Sequence, residues 1–170
     1  MIRLVKEEDL PAILAIYNEA ILTTTAVYTY EAQTLENRRE WFRQQTEDGF
    51  PIFVYEEGGE VAGFATYDHF RAWPAYKYSV EHSVYVNKAF RQKGIGTKLL
   101  DTVIESARER GYKTIIAGID ADNDKSIALH EKKGFTHAGT IQNAGYKFKH
   151  WLDLAFYQLQ LAGPKQPIEK

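Results

Sequence analysis

Apolar residues recur along the chain with two different periods, and the change from one to the other marks out its elements. MIRLV reads as a short strand. Leu10, Ile13, Ile16, Tyr17 and Ile21 then fall three or four residues apart, which predicts an amphipathic helix. The stretch TTTAVYTYEAQ, Thr23 to Gln33, is β-branched and aromatic and predicts a loop or an irregular strand. Thr34 is a candidate N-cap for a second helix carrying Leu35, Trp41 and Phe42. PIFVYEEGGEVAGFATY predicts a hairpin turning at Gly58-Gly59. YKYSVEHSVYV is strongly β-prone and ends near Val86. A helix follows from about Gly96 to Arg110 and stops at Gly111, a residue type suited to the position after a helix. KTIIAGI reads as a buried strand, DNDKSIALHEKKGF as a capped helix ending at Gly134, and KFKHWLDLAFYQLQL as one long strand. This order predicts an α/β fold with a mixed central sheet and helices on both faces. It fits a single domain over residues 1–162, followed by a polar tail, 163–170, expected to be mobile.

Composition narrows the partners. The chain has 170 residues, enough to bury a core within one domain. Its formal charge of −2 offers no basic excess for nucleic acid or an acidic membrane. No apolar run reaches the length of a membrane span, and the N-terminus lacks the apolar segment of a leader peptide. Cysteine is absent, which excludes disulfides, thiolate metal sites and a cysteine nucleophile, and suits a reducing cytoplasm.

Within RQKGIGTKLL, a loop and two glycines lead from a β-prone strand into a helix. Unpaired amides at a helix head, together with the helix dipole, favour an anion there. Arg91, Lys93 and Lys98 add positive charge. The segment lacks the third glycine of a dinucleotide fingerprint, and no glycine stands five residues before Gly96 to complete a P-loop. What fits is R-x-x-G-x-G, as Arg91, Gly94 and Gly96. Alone, this hexapeptide is equally compatible with a plain turn entering a surface helix.

The wider set of motifs is more specific. IYNEAI, VEHSVYV, RQKGIGTKLL, AGI, N-x-x-S-x-x-LH, KKGF and KFKHWLDL follow one another from Ile2 to about Leu161. In this order they resemble the GNAT superfamily of N-acetyltransferases, and within it the phosphinothricin and methionine sulfoximine acetyltransferase branch. The resemblance implies acetyl-CoA as co-substrate; the five histidines show no zinc-type H-x-x-x-H pair, so no metal is expected. It implies that the backbone of Val84, Tyr85 and Val86 pairs with the pantetheine arm. Arg91, Gln92, Lys93, Gly94, Ile95, Gly96 and Thr97 would then cradle the pyrophosphate, with Asn123 and Ser126 beside the arm. A homodimer is also implied, with the aromatic-rich last strand able to pair between chains.

Acetyl transfer from a thioester to an amine needs a base for the ammonium and favours a proton for the departing thiolate. Without a cysteine, direct transfer in a ternary complex is the simpler route. Glu81 is the candidate base, because a carboxylate in mid-strand is partly desolvated and its pKa rises. The competing reading is a solvated Glu, or one paired with an arginine. Strict alternation puts Ser79, Glu81, Ser83 and Tyr85 on one face and Val80, His82, Val84 and Val86 on the other. A bulge would bring His82 forward. His130 lies seven residues after Asn123, where the resemblance places a residue protonating the thiolate; a histidine packed against the sheet is the equal alternative.

For an amino-acid acceptor, Arg71 in FRAWPAY is the candidate carboxylate anchor, with Ala72, Trp73 and Tyr76 as pocket wall beside Glu81, His82 and Ser83. Tyr28 and Tyr30 are open between pocket and core. The branch commonly has K-F-G-R-W, whereas this chain has Lys149-His150 after Lys147-Phe148. Asp120, Asp122, Asp124 and Glu131 mimic calcium-loop spacing, but Lys125 stands where the loop needs glycine and a β-prone segment precedes it. The resemblance points to the α-amine of methionine sulfoximine, methionine sulfone or phosphinothricin as the acceptor. The alternatives are another amine, such as a polyamine or protein N-terminus, or a non-catalytic coenzyme A-binding module.

Overall fold

The computed structural model describes residues 1–169; Lys170, the end of the expected tail, lies outside the described residues. In chain order the elements are β1 (Ile2–Leu4), α1 (Leu10–Thr23), α2 (Leu35–Asp48), β2 (Ile52–Glu57), β3 (Glu60–His69) and β4 (Ser79–Val86). They continue with α3 (Ile95–Glu109), β5 (Thr114–Asp120), α4 (Asp124–Lys132), β6 (Thr136–Lys147) and β7 (His150–Gln160). The strands hydrogen-bond in the order β1-β2-β3-β4-β5-β7-β6. β4 and β5 run parallel, while β1–β2, β2–β3, β5–β7 and β6–β7 are antiparallel, so the sheet is mixed as the pattern predicts. Packing divides the chain into two compact units, one of Met1–Tyr67 with Ser83–Thr102, the other of Asp68–His82 with the chain from Val103 onward.

In the first unit the helical spacing marks the core correctly. Leu10, Ile13 and Ile16 are buried together with Val54 and Phe64, and Tyr17, Leu35, Trp41, Phe42 and Tyr85 pack around them. Thr34 caps α2 as its sequence predicts: its hydroxyl accepts the Asn37 amide at 3.1 Å, and Asn37 Oδ1 accepts the Thr34 amide at 2.9 Å. The hairpin turns at Gly58 (φ 60°) and Gly59 (φ 81°), both left-handed as a two-residue turn requires. Residues 24–34 contain no strand, and Tyr28 and Tyr30 are exposed at 38% and 64%. Arg38 was invisible to a hydrophobic pattern. It is buried on α2 with its guanidinium carbon 4.2 Å from the Tyr17 ring centre and 4.4 Å from that of Trp41. The two aromatic faces offset part of the cost of burying the charge.

In the second unit β5 buries Ile115, Ala117 and Ile119 on one face and pairs along its length with β7. The C-terminal end differs from the sequence expectation. KFKHWLDLAFYQLQL is not one strand: β6 ends at Lys147, β7 begins at His150, and the two pair across a two-residue turn. Phe148 (φ 51°) and Lys149 (φ 67°) form that turn in the left-handed region, although neither is a usual turn residue. β6 itself escaped notice because register shifts between His137 and Gly139 and between Ile141 and Gly145 break its alternation. The tail is tied at Ile168, whose amide donates to Tyr78 Oη at 2.8 Å while the phenol donates back to Ile168 O at 3.3 Å.

Lys149 occupies a left-handed position (φ 67°) that glycine adopts without steric cost, so Lys149→Gly relieves backbone strain. It should stabilise the fold by about 1 kcal/mol and raise the melting temperature by about 2–4 °C in a chain of this size. Calorimetry showing no rise, or a fall, would mean that the turn is unstrained.

Candidate active site

The candidate anion cradle lies in the first unit. Asn87 opens the turn, its Oδ1 accepting the Ala89 amide at 2.9 Å. The backbone then turns left-handed at Gln92 (φ 67°) and again at Gly94 (φ 77°). Left-handed residues interleaved with right-handed ones turn successive amides inward, the geometry of an anion-binding nest. The helical bond from Lys98 N–H to Gly94 O, 3.1 Å, leaves Ile95, Gly96 and Thr97 at the head of α3 without helical acceptors. Gly96 has no left-handed backbone, and a Cβ there would meet only Val86 Cγ2 at 3.6 Å, an ordinary contact. Packing of the protein therefore does not require glycine at 96, and the open space is left for a ligand. Arg91 pairs with Glu19 at 3.2 Å and Lys93 with Glu57 at 3.6 Å, both basic side chains remaining about half exposed. Neither acidic partner is visible from the sequence, since Glu19 and Glu57 lie far from the turn along the chain. Tyr85 turns its ring into the core against Phe64 and Tyr17, so only its backbone is left for a ligand.

The ionisable groups lie in the second unit. The parallel ladder between β4 and β5 comprises Ser79–Thr114, Val80–Ile115 and Glu81–Ile116, although β4 runs on to Val86 and β5 to Asp120. Glu81 stands at its last pair. Its Oε2 lies 3.2 Å from where a Cβ on Gly118 would be, on a floor completed by Leu154 and Phe156. Burial lifts the Glu81 carboxyl above its usual range, Asp68 adds to the lift, and Arg71 opposes it. Arg71 is exposed and lies over the Phe70 ring, which packs edge-on against both Tyr76 and Phe156. Ala72 and Trp73 are exposed in the same loop, Trp73 at 76%. Asp68, Gly118, Leu154 and Phe156 are the members of this group that sequence reasoning missed. Their signal, an exposed glycine in a central strand, appears only once the strands are paired.

His82 faces a different set of residues. Its Nε2 is 3.0 Å from His130 Nε2, the rings are parallel within 6°, and the Phe135 ring stands edge-on to both. His130 Nδ1 is 2.7 Å from Ser126 O. A carbonyl only accepts, so His130 Nδ1 carries a proton and its Nε2 is a lone pair when neutral. His82 Nε2–H must then donate to it, which leaves His82 Nδ1 bare. That atom is sealed from solvent without a partner, although the residue as a whole is only partly buried. At the head of α4, Asn123 Oδ1 accepts the Ser126 amide at 3.2 Å. Asp120 Oδ1 accepts the Asp122 amide at 3.0 Å, and no group of three or more metal-type side chains could hold an ion among the described residues. Lys149 and His150 belong to the hairpin turn, where His150 Nδ1 donates to Phe148 O at 3.0 Å.

The histidine pair makes stability depend on pH. Burial pushes His82 from the usual 6.5 down to about 3, with His130 adding to the shift, and burial lowers His130 as well. The unfolded chain therefore binds more protons than the folded one below about pH 6.5. The pair's contribution is full above that value and is lost as pH falls towards 3. Denaturant titrations from pH 7.5 to 4 should show falling stability, with a shallower slope in His82→Gln. Identical slopes would remove the pair as the cause.

Three comparisons bear on this arrangement. The family model described as "Acetyltransferase (GNAT) family" matches residues 13–135. The chain is 44% identical, over 90% of each protein, to an L-methionine sulfoximine/L-methionine sulfone acetyltransferase of Pseudomonas aeruginosa. An N-acetyltransferase structure from Staphylococcus aureus Mu50 superimposes with a TM-score of 0.93 at 57% identity, covering 94% of this chain and 97% of that one. A phosphinothricin acetyltransferase from Sinorhizobium meliloti, solved in complex with AcCoA, gives 0.92 at 34% identity, covering 95% and 88%. With the fold, the glycine turn and these relatives in agreement, the chain belongs to the GNAT family of acetyltransferases.

Proposed function

We propose that this enzyme transfers the acetyl group of acetyl-CoA directly to the α-amine of a small amino acid analogue, with methionine sulfoximine, methionine sulfone or phosphinothricin as acceptors. The names of the relatives support that acceptor class. The observation that carries the reading is the Glu81 carboxylate, raised in pKa, above an exposed glycine and within the field of Arg71. A zwitterionic amino acid presents the matching charges: an ammonium for Glu81 and a carboxylate for Arg71.

In this scheme Glu81 takes a proton from the acceptor ammonium, and the free amine attacks the thioester carbonyl. The tetrahedral intermediate collapses with loss of the coenzyme A thiolate. Arg71 holds the acceptor carboxylate, and Ala72, Trp73, Tyr76, His82 and Ser83 complete the acceptor surface. His130 is the proposed proton source for the thiolate. Its Nδ1–H is held by Ser126 O and its Nε2 is the lone pair that accepts from His82, so this role requires the imidazole contact to open and Nε2 to take up a proton, such as the one the acceptor nitrogen loses, before passing it to the thiolate. For the donor, Arg91, Gln92, Lys93, Gly94, Ile95, Gly96 and Thr97 bind the pyrophosphate. Val84, Tyr85 and Val86 offer backbone to the pantetheine arm, a role that suits a strand whose pairing with β5 ends at Glu81. Asn123 and Ser126 complete the donor site at the head of α4.

We assign the activity to residues 1–162, with 163–170 as its tail, in a cytoplasmic homodimer. The exposed Ile141, Tyr146, Phe148 and Trp151 of the last hairpin support a partner on that side.

Thiol release from acetyl-CoA across a panel of amines tests the reading. Methionine sulfoximine, methionine sulfone and phosphinothricin should be turned over ahead of polyamines and peptides. Tight coenzyme binding without release for any amino-acid analogue would sink it. Glu81→Gln should lower kcat about 10²–10⁴-fold and leave the acetyl-CoA Kd nearly unchanged. In the wild type kcat/KM should rise with pH along a limb set above the ordinary carboxylate range, because burial favours the protonated carboxyl. Gly96→Ala puts a methyl where the phosphate would approach. Calorimetric titration should show weaker acetyl-CoA binding, by about tenfold, at unchanged thermal stability; equal affinity would place the pyrophosphate elsewhere.

A further inference from the structure

We propose that Gly118 is a positioning residue for Glu81: its missing side chain is the space that seats the carboxylate. This rests on the reading of Glu81 as the base and goes one step beyond it.

Nothing in the backbone calls for glycine at 118. Its φ is outside the left-handed region, and the three atoms nearest to a Cβ placed there all belong to side chains. They are Glu81 Oε2 at 3.2 Å, Leu154 Cδ1 at 3.4 Å and Phe156 Cε1 at 3.8 Å. Strand interiors favour other residues, because glycine loses more backbone freedom on folding and packs nothing. The neighbours Ala117 and Ile119 are buried on the opposite face, whereas Gly118 is exposed in a strand paired along β7. Position 118 is thus an open floor in mid-sheet, and the atom nearest to it is an oxygen of the Glu81 carboxylate.

A methyl at 118 would be tighter to Oε2 than ordinary contacts allow. The carboxylate must give way by a few tenths of an ångström, whereas the Leu154 and Phe156 tips stay at ordinary contact distance. All three are ends of flexible side chains, so the fold accommodates the change and the base geometry does not. Misplacing a reacting group by such an amount lowers the rate of the chemical step without touching the donor site.

The test is a double-mutant cycle on Gly118→Ala and Glu81→Gln, read in kcat, acetyl-CoA Kd and melting temperature. Gly118→Ala should melt at or above the wild-type temperature, bind acetyl-CoA as tightly, and lose about tenfold or more in kcat. In the Glu81→Gln background the same alanine should cost nothing further. An unchanged kcat in Gly118→Ala overturns the proposal. So does an equal loss with and without the carboxylate, since Gly118 would then act on the acceptor alone. If Glu81→Gln turns over like the wild type, the base assignment fails instead. A carbon-NMR titration of Glu81 then decides the seating by itself: a midpoint identical in wild type and Gly118→Ala overturns it, and a displaced midpoint upholds it.

Discussion

The parallel pairing of β4 with β5 stops at Glu81–Ile116, and much of the site follows from that stop. Backbone amides and carbonyls are obligatory hydrogen-bonding groups, so a strand that continues without its neighbour must find water or a ligand. It is also why a carboxylate can stand in mid-sheet at all. At the last pair of that ladder, in a strand flanked by β3 and β5, Glu81 is half-buried rather than sealed in a core.

Alternation along β4 then separates two kinds of ionisable group. Glu81 meets Gly118, Asp68 and Arg71, where burial and a like charge outweigh one arginine and raise its pKa. His82, one residue on, meets His130 and Phe135, where burial keeps both imidazoles neutral. The same physical cause, desolvation of the charged form, pushes an acid up and a base down. Both therefore favour the neutral species, but with different consequences. The carboxyl moves towards a working pH for proton abstraction, whereas the two imidazoles stay neutral and hydrogen-bonded to each other until that contact opens.

Several of these features were legible beforehand because each depends on local sequence alone. Helical spacing in α1, the Thr34 cap, the Gly58-Gly59 turn and the glycine turn of RQKGIG into α3 are all set within a few residues. The features that were not legible depend on residues far apart in the chain. β6 lost its alternation to register shifts, and the Phe148-Lys149 turn carries no glycine or asparagine to announce it. Arg38 reads as one more charge on a polar helix until Tyr17 and Trp41 close over it. His82 and His130 are 48 positions apart, and their shared hydrogen bond has no signature in either neighbourhood.

By itself, the amino-acid sequence determined the order of elements as far as α4, the family, the glycine turn and the candidacy of Glu81, because periodicity, caps and short motifs act over distances of a few residues. The tertiary structure alone decided the state of those groups. A pKa depends on what surrounds a charge in space, and a tautomer depends on which donors and acceptors converge on a ring. Glycine at 118 is the clearest instance. In the sequence it is one letter in a β-prone run, and only the approach of Glu81, 37 positions earlier, shows what the absent side chain makes room for.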